Sequence, residues 1–123
     1  MVANRYRGSR EYLLVCAELV NAARYRGTLT YKTIASIMGL PPSGSHMGAE
    51  TGWILGEISE DEVNLKRPML SALVTKVNGS PGEGFFSLAT ELGKLQDDSE
   101  EGKRKFWQKE KEAVYETWSK WGK

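Results

Sequence analysis

The sequence predicts an α+β fold: a small winged helix-turn-helix-like core with a β-hairpin, closed by a long C-terminal helix. Three observations predict it. Apolar residues recur at helical spacing in three successive segments of the N-terminal half. An apolar run, Met69 to Val77, is followed by "NGSPGEG" and then Phe85-Phe86, the pattern of a strand, a turn and a returning strand. From about Ser99 aromatic residues line one face of a continuous helical pattern.

The first helix is expected from about Arg10 to Arg26. Ser9 is placed to cap it, because a hydroxyl accepts from a free N–H of the first turn. Tyr12, Val15, Cys16, Leu19, Val20 and Ala23 make its apolar stripe. Gly27 follows as a left-handed C-cap. "LTYKTIASIMG" reads as a short second helix capped by Thr30, with Tyr31, Ile34, Ala35 and Met38 inward and Gly39 as its stop. "LPPSGS" forms a turn. A third helix runs from near Ser45 to about Glu62, with Met47, Ile54, Leu55 and Ile58 buried and Trp53 at the margin. Gly48, Gly52 and Gly56 recur on one side of it. Each weakens a helix by ~1 kcal/mol relative to Ala, so a close approach to that face is implied. Tight packing against another helix is the plainer reading, ligand contact the sharper one.

Met69–Val77 is the clearest strand, Phe85 and Phe86 begin its partner, and "SLATELGKL" is a short helix or helical turn. Trp107, Val114, Trp118 and Trp121 share a face of the closing helix, beside Phe106 and Ala113. An anchor on the core is the commoner role for such a face; an exposed one would mark a homodimer or partner-protein contact. The organisation expected is one domain over residues 1–123: a basic arm 1–8, a winged-helix-like core 9–96 and the closing helix 97–123.

Composition bounds the function. Hydrophobic residues at 40% and charged residues at 27% describe a globular chain rather than a disordered one. No apolar run approaches the ~18 residues of a membrane span, and "MVANRYRGSREY" has no signal-peptide pattern. The single Cys16 excludes an internal disulfide framework and points to a reducing, cytoplasmic setting. One His and one Cys leave too few soft ligands for a zinc site, and no cofactor is expected. Net charge is +1, but its distribution is uneven: residues 1–32 carry six basic side chains against Glu11 and Glu18, while residues 33–64 carry five acidic ones and no Lys or Arg.

"VNGSPGEGFF" lacks the Gly-Lys-Ser/Thr ending of a P-loop and the glycine spacing of a dinucleotide fingerprint. Asn-Gly and Pro-Gly are turn dipeptides, so the segment is either a plain connector or a tip whose backbone N–H groups and Ser80 meet a ligand. His46 lies where a helix N-terminus helps hold an anion, although a lone His is more often a capping residue. Glu57, Glu60 and Asp61 sit at helical spacing. A solvated helix end is their ordinary account, and a metal-dependent hydrolase the weakest reading.

"TYKTIASIMGL", a Gly/Ser turn, "HMGAETGWILGEI" and "RPMLSALVTKVNGSPGEG" together resemble, over about Leu29–Phe86, the winged-helix C-terminal domain of alkylguanine-DNA alkyltransferases and alkyltransferase-like proteins. Where that family has Pro-Cys-His-Arg, this chain has Leu70-Ser71-Ala72-Leu73. It has neither the acceptor thiol nor the activating His, so the resemblance implies no alkyl transfer. Glu50 and Glu57 on the third helix would repel phosphates.

The reading is a non-enzymatic binding protein for a polyanion, either nucleic acid or a phosphorylated nucleotide. It uses Arg5, Arg7, Arg10, His46, Lys66 and Arg67 with a tip of Ser80, Gly82 and Gly84. The alternative is a protein-interaction module, such as a phage or mobile-element counter-defence inhibitor, presenting the acidic end of the third helix and Trp107, Trp118 and Trp121.

Overall fold

The computed structural model describes residues 2–41 and 44–120, and it corrects the predicted fold class. These residues form five α-helices and one two-stranded sheet, in the order α1 (Arg10–Arg24), β1 (Leu29–Thr30), α2 (Tyr31–Ile37), α3 (Gly44–Asn64), β2 (Val74–Thr75), α4 (Glu83–Glu91) and α5 (Glu100–Ser119). The strands are two residues each and pair in parallel, Leu29 with Val74 and Thr30 with Thr75. Among the described residues there is neither a β-hairpin nor a wing, and the architecture is helical rather than α+β.

Two local choices explain the difference. Leu70–Leu73, expected as strand, winds into a 3-10 turn with all four residues buried. A short apolar run buried on every side carries no periodicity to separate strand from helical turn. Phe85 and Phe86, expected to open the returning strand, lie in the first turns of α4. Gly82 is the N-cap there, Glu83 suits the positive end of the helix dipole, and Phe85 and Ala89 bury one face. The glycine-rich loop therefore leads from β2 into a helix.

The helices follow their caps. Ser9 Oγ accepts from Tyr12 N–H at 3.2 Å, Thr30 Oγ1 from Thr33 N–H at 3.2 Å, and Ser99 Oγ from Gly102 N–H at 3.1 Å. α1 ends two residues before the expected Arg26, and the left-handed position falls on Arg26 (φ 57°) instead of Gly27. Gly27 N–H then reaches Ala22 O at 2.8 Å, closing the terminus. α3 ends the same way, with Lys66 left-handed (φ 62°) and Arg67 N–H on Glu62 O at 2.9 Å. Gly39 (φ 77°) stops α2 as expected. Part of the "LPPSGS" turn, residues 42–43, and Trp121 lie outside the described residues.

The core joins Val15, Leu19 and Ala23 of α1, Ile34 of α2, Ile54, Leu55 and Ile58 of α3, the 3-10 turn, Phe85 and Ala89 of α4, and Val114 and Tyr115 of α5. α5 fastens it with polar pins. Trp107 Nε1 donates to Ala72 O at 2.9 Å, Tyr115 Oη donates to Gly27 O at 2.9 Å, and buried Glu110 accepts from Met69 N–H at 2.9 Å while pairing with Lys94. Trp107 and Trp118 pack half-buried against this core, the anchoring role.

Candidate functional site

α3 has two working faces, and they do different things. At 3.6 residues per turn, Gly48, Gly52 and Leu55 point one way, while Glu50, Trp53 and Glu57 point nearly the opposite way.

The second face is a structural lock. Glu57 is fully buried, and its carboxylate accepts backbone N–H groups from Arg5 (3.0 Å), Tyr6 (2.9 Å) and Arg7 (2.9 Å). Arg7 also bonds Asp61 at 3.0 Å and Glu60 at 2.5 Å. The Tyr6 phenol donates to Glu50 and that of Tyr12 to Asp61; burial, then those carboxylates, push Tyr6 up to about 12 and Tyr12 higher still. Arg5 stacks over Trp53, 3.7 Å from the ring centroid. The basic N-terminal segment is thus neutralised by the acidic end of α3. This accounts for Glu57, Glu60 and Asp61 without a metal, and among the described residues no group of three or more His, Cys, Asp or Glu is placed to hold one.

The first face opens into a cleft of about 350 Å³. Met47, Gly48, Thr51, Gly52 and Leu55 of α3 form one wall; Phe85 and Leu88 of α4 form the other, with Tyr31 and Ser71 between. The glycines act as its floor. A Cβ placed on Gly48 or Gly52 would meet nothing within 4 Å, so no helix packs there; only Gly56 has neighbours, Leu88 and Val2 at 3.8 Å. At the loop, the Tyr31 phenol accepts Gly82 N–H at 3.3 Å, and a Cβ on Gly82 would stand 2.8 Å from that oxygen, so a larger residue would displace the Tyr31 ring. Burial raises the Tyr31 phenol. Thr51 Oγ1 is turned back onto Met47 O at 2.7 Å. Ser71 Oγ accepts from Ser59 Oγ at 2.7 Å, and Ser71 N–H returns to Ser59 Oγ at 3.3 Å. Lys76 stands at the edge, exposed, with no ion pair among the described residues. Among the described residues no carboxylate, imidazole or thiol lines the cleft.

The site residues read from sequence separate into several places. Gly82 and Gly84 line the cleft. Ser80 folds its loop: its N–H and Oγ donate to Asn78 Oδ1 at 2.9 and 2.7 Å, and its carbonyl accepts Lys76 N–H at 2.8 Å. His46 is exposed in the first turn of α3, next to Met47 and Gly48. Arg5 and Arg7 are in the lock on the far face of α3, and Arg67 is held by Glu62 through two bonds of 2.8 Å and lies 5.3 Å over Trp118. Lys66 is exposed at the end of α3, and Arg10 is exposed on α1. Sequence reasoning assigned Tyr31 and Leu55 to the core and passed over Thr51, Lys76 and Leu88. The signal that marked the cleft was the Gly48–Gly52 pair.

The chain matches no family model, no curated protein and no solved structure.

Proposed function

We propose that this chain is a non-enzymatic binding protein that takes the base of a nucleic acid or a phosphorylated nucleotide into the cleft between α3 and α4. The observation that carries the reading is the open glycine floor. Two helix-weakening residues stand at positions where an added methyl would meet no atom within 4 Å, and the surface they leave open is largely apolar, suited to a planar ring. Lys76 at the edge supplies a cation where the ring's phosphate would emerge. The cleft's size falls at the lower end of small-molecule sites, ~300–1,000 Å³, which fits one ring system better than an extended ligand. The single half-buried cysteine agrees with a reducing, cytoplasmic setting.

Titrating mononucleotides, single-stranded DNA and duplex DNA at two salt concentrations tests the proposal. Because Arg5, Arg7 and Arg67 are occupied within the fold, binding should fall only gently with salt, with log–log slopes of about −1 to −2. Lys76→Ala should weaken binding, and Arg67→Ala should leave affinity unchanged. No binding to any of these ligands at either salt would end the reading.

A further inference from the structure

Among the described residues three hydroxyls line the cleft, those of Tyr31, Thr51 and Ser71. A hydroxyl has one proton to donate and two lone pairs that accept, so its partners within the fold show which capacity is left for a ligand. Thr51, 1% exposed, donates its proton to Met47 O at 2.7 Å and can only accept. Ser71, 4% exposed, is the reverse. Its Oγ accepts from Ser59 Oγ at 2.7 Å, and its own proton meets no acceptor among the described residues. The fully buried Ser59 Oγ also accepts Ser71 N–H at 3.3 Å, which keeps the donor order of the pair. The half-buried Tyr31 phenol accepts Gly82 N–H at 3.3 Å and likewise has its proton free.

Two free protons and one open lone pair define the edge a ligand has to present. An exocyclic carbonyl oxygen has two lone pairs and takes both protons, while a ring N–H beside it donates to Thr51 Oγ1. An exocyclic amine offers no lone pair, and the bare ring nitrogen beside it takes a single proton. One hydroxyl proton is then left without an acceptor in a site closed to water, which costs affinity.

We infer that the cleft selects bases with a keto and ring N–H edge, that of uracil, thymine, hypoxanthine and guanine, over the amino bases adenine and cytosine, with Tyr31 and Ser71 as the specificity-determining donors. The inference rests on the proposed binding of a base in this cleft. Lys76 at the edge serves the phosphate, which both classes share, and so cancels from the comparison.

Calorimetric titration of two matched pairs, UMP against CMP and IMP against AMP, tests it. The wild-type chain should prefer UMP and IMP by about tenfold, the worth of one buried hydrogen bond. Ser71→Ala and Tyr31→Phe should each bring the members of a pair close to equal affinity by weakening UMP and IMP while CMP and AMP hold. Loss of folding would weaken all four together, and circular-dichroism melts identify it. Binding of both members of each pair with equal affinity, or a preference for CMP and AMP, overturns the inference and leaves the cleft a base-binding site. A keto preference that survives in both variants overturns the assignment to these hydroxyls. No binding of any of the four ends the binding reading and this inference with it.

Discussion

Gly52 separates the stability of this fold from its ability to bind. A methyl group at this position meets nothing within 4 Å, so Gly52→Ala gains helix propensity with no steric penalty. The gain is about 1 kcal/mol, which for a chain of this length raises Tm by about 3–5 °C. Gly52→Leu should keep most of that gain while its side chain occupies the cleft, so affinity for the ligand should drop at least about tenfold, the order that overpacking a fitted site produces. Gly56→Ala is the control. Gly56 does not itself line the cleft, and its methyl makes ordinary van der Waals contacts with Leu88 and Val2 at 3.8 Å, so Tm should rise and binding stay constant. Circular-dichroism melts and ligand titrations on the three variants read both quantities. A fall in Tm for Gly52→Ala would mean that protein atoms occupy the floor, and the argument that the cleft is open would fail with it.

Glu57→Ala should destabilise the fold by about 3–5 kcal/mol in urea titrations, because three part-buried backbone N–H groups each lose a charged acceptor, and amide exchange at Arg5, Tyr6 and Arg7 should accelerate. Alkaline pH should destabilise the protein. Burial, aided by the nearby Glu62 and Asp61, pushes the Cys16 thiol from 9.0 to about 11, and burial with Glu50 holds Tyr6 at about 12. The unfolded chain therefore releases these protons first, so stability is complete below pH 9 and declines as pH rises toward 12; Cys16→Ala should flatten the part between 9 and 11 in urea midpoints measured across that range. Lys66→Gly should raise Tm by relieving a left-handed backbone (φ 62°), a strain of about 1–2 kcal/mol, and ligand affinity should not change.

Much of the helical skeleton was legible in the sequence. Ser9, Thr30 and Ser99 announce helix starts that the structure uses, and the stripes Val15–Leu19–Ala23 and Ile54–Leu55–Ile58 are buried as their spacing requires. The segment Leu70–Phe86 was not legible, for a physical reason. Leu70–Leu73 is buried on all sides, and the turn dipeptides around Gly79 and Gly82 fit a loop into a helix as well as a loop into a strand. The left-handed residues at Arg26 and Lys66 were equally hidden. At Arg26 the strain is offset by contacts made far along the chain, with Glu112 and the Tyr115 ring.

The site shows a different limit. The glycine period of α3 was visible, and it called for a close approach to one face; the choice between a packed helix and a ligand depends on what lies across from Gly48 and Gly52, a matter of tertiary placement. Charge was harder still. Six basic residues in the first 32 and five acidic ones in the next 32 read as two surfaces of opposite sign, one of them available to a polyanion. In the fold, the N-terminal segment crosses α3, so that Arg7 meets Glu60 and Asp61 and the backbone of Arg5–Arg7 closes on Glu57. Opposite runs separated by about 50 residues in sequence are as able to neutralise each other inside one molecule as to attract a partner, since the energy depends on distance in space. What recognition requires is charge left over after folding, and beside the cleft that charge is Lys76.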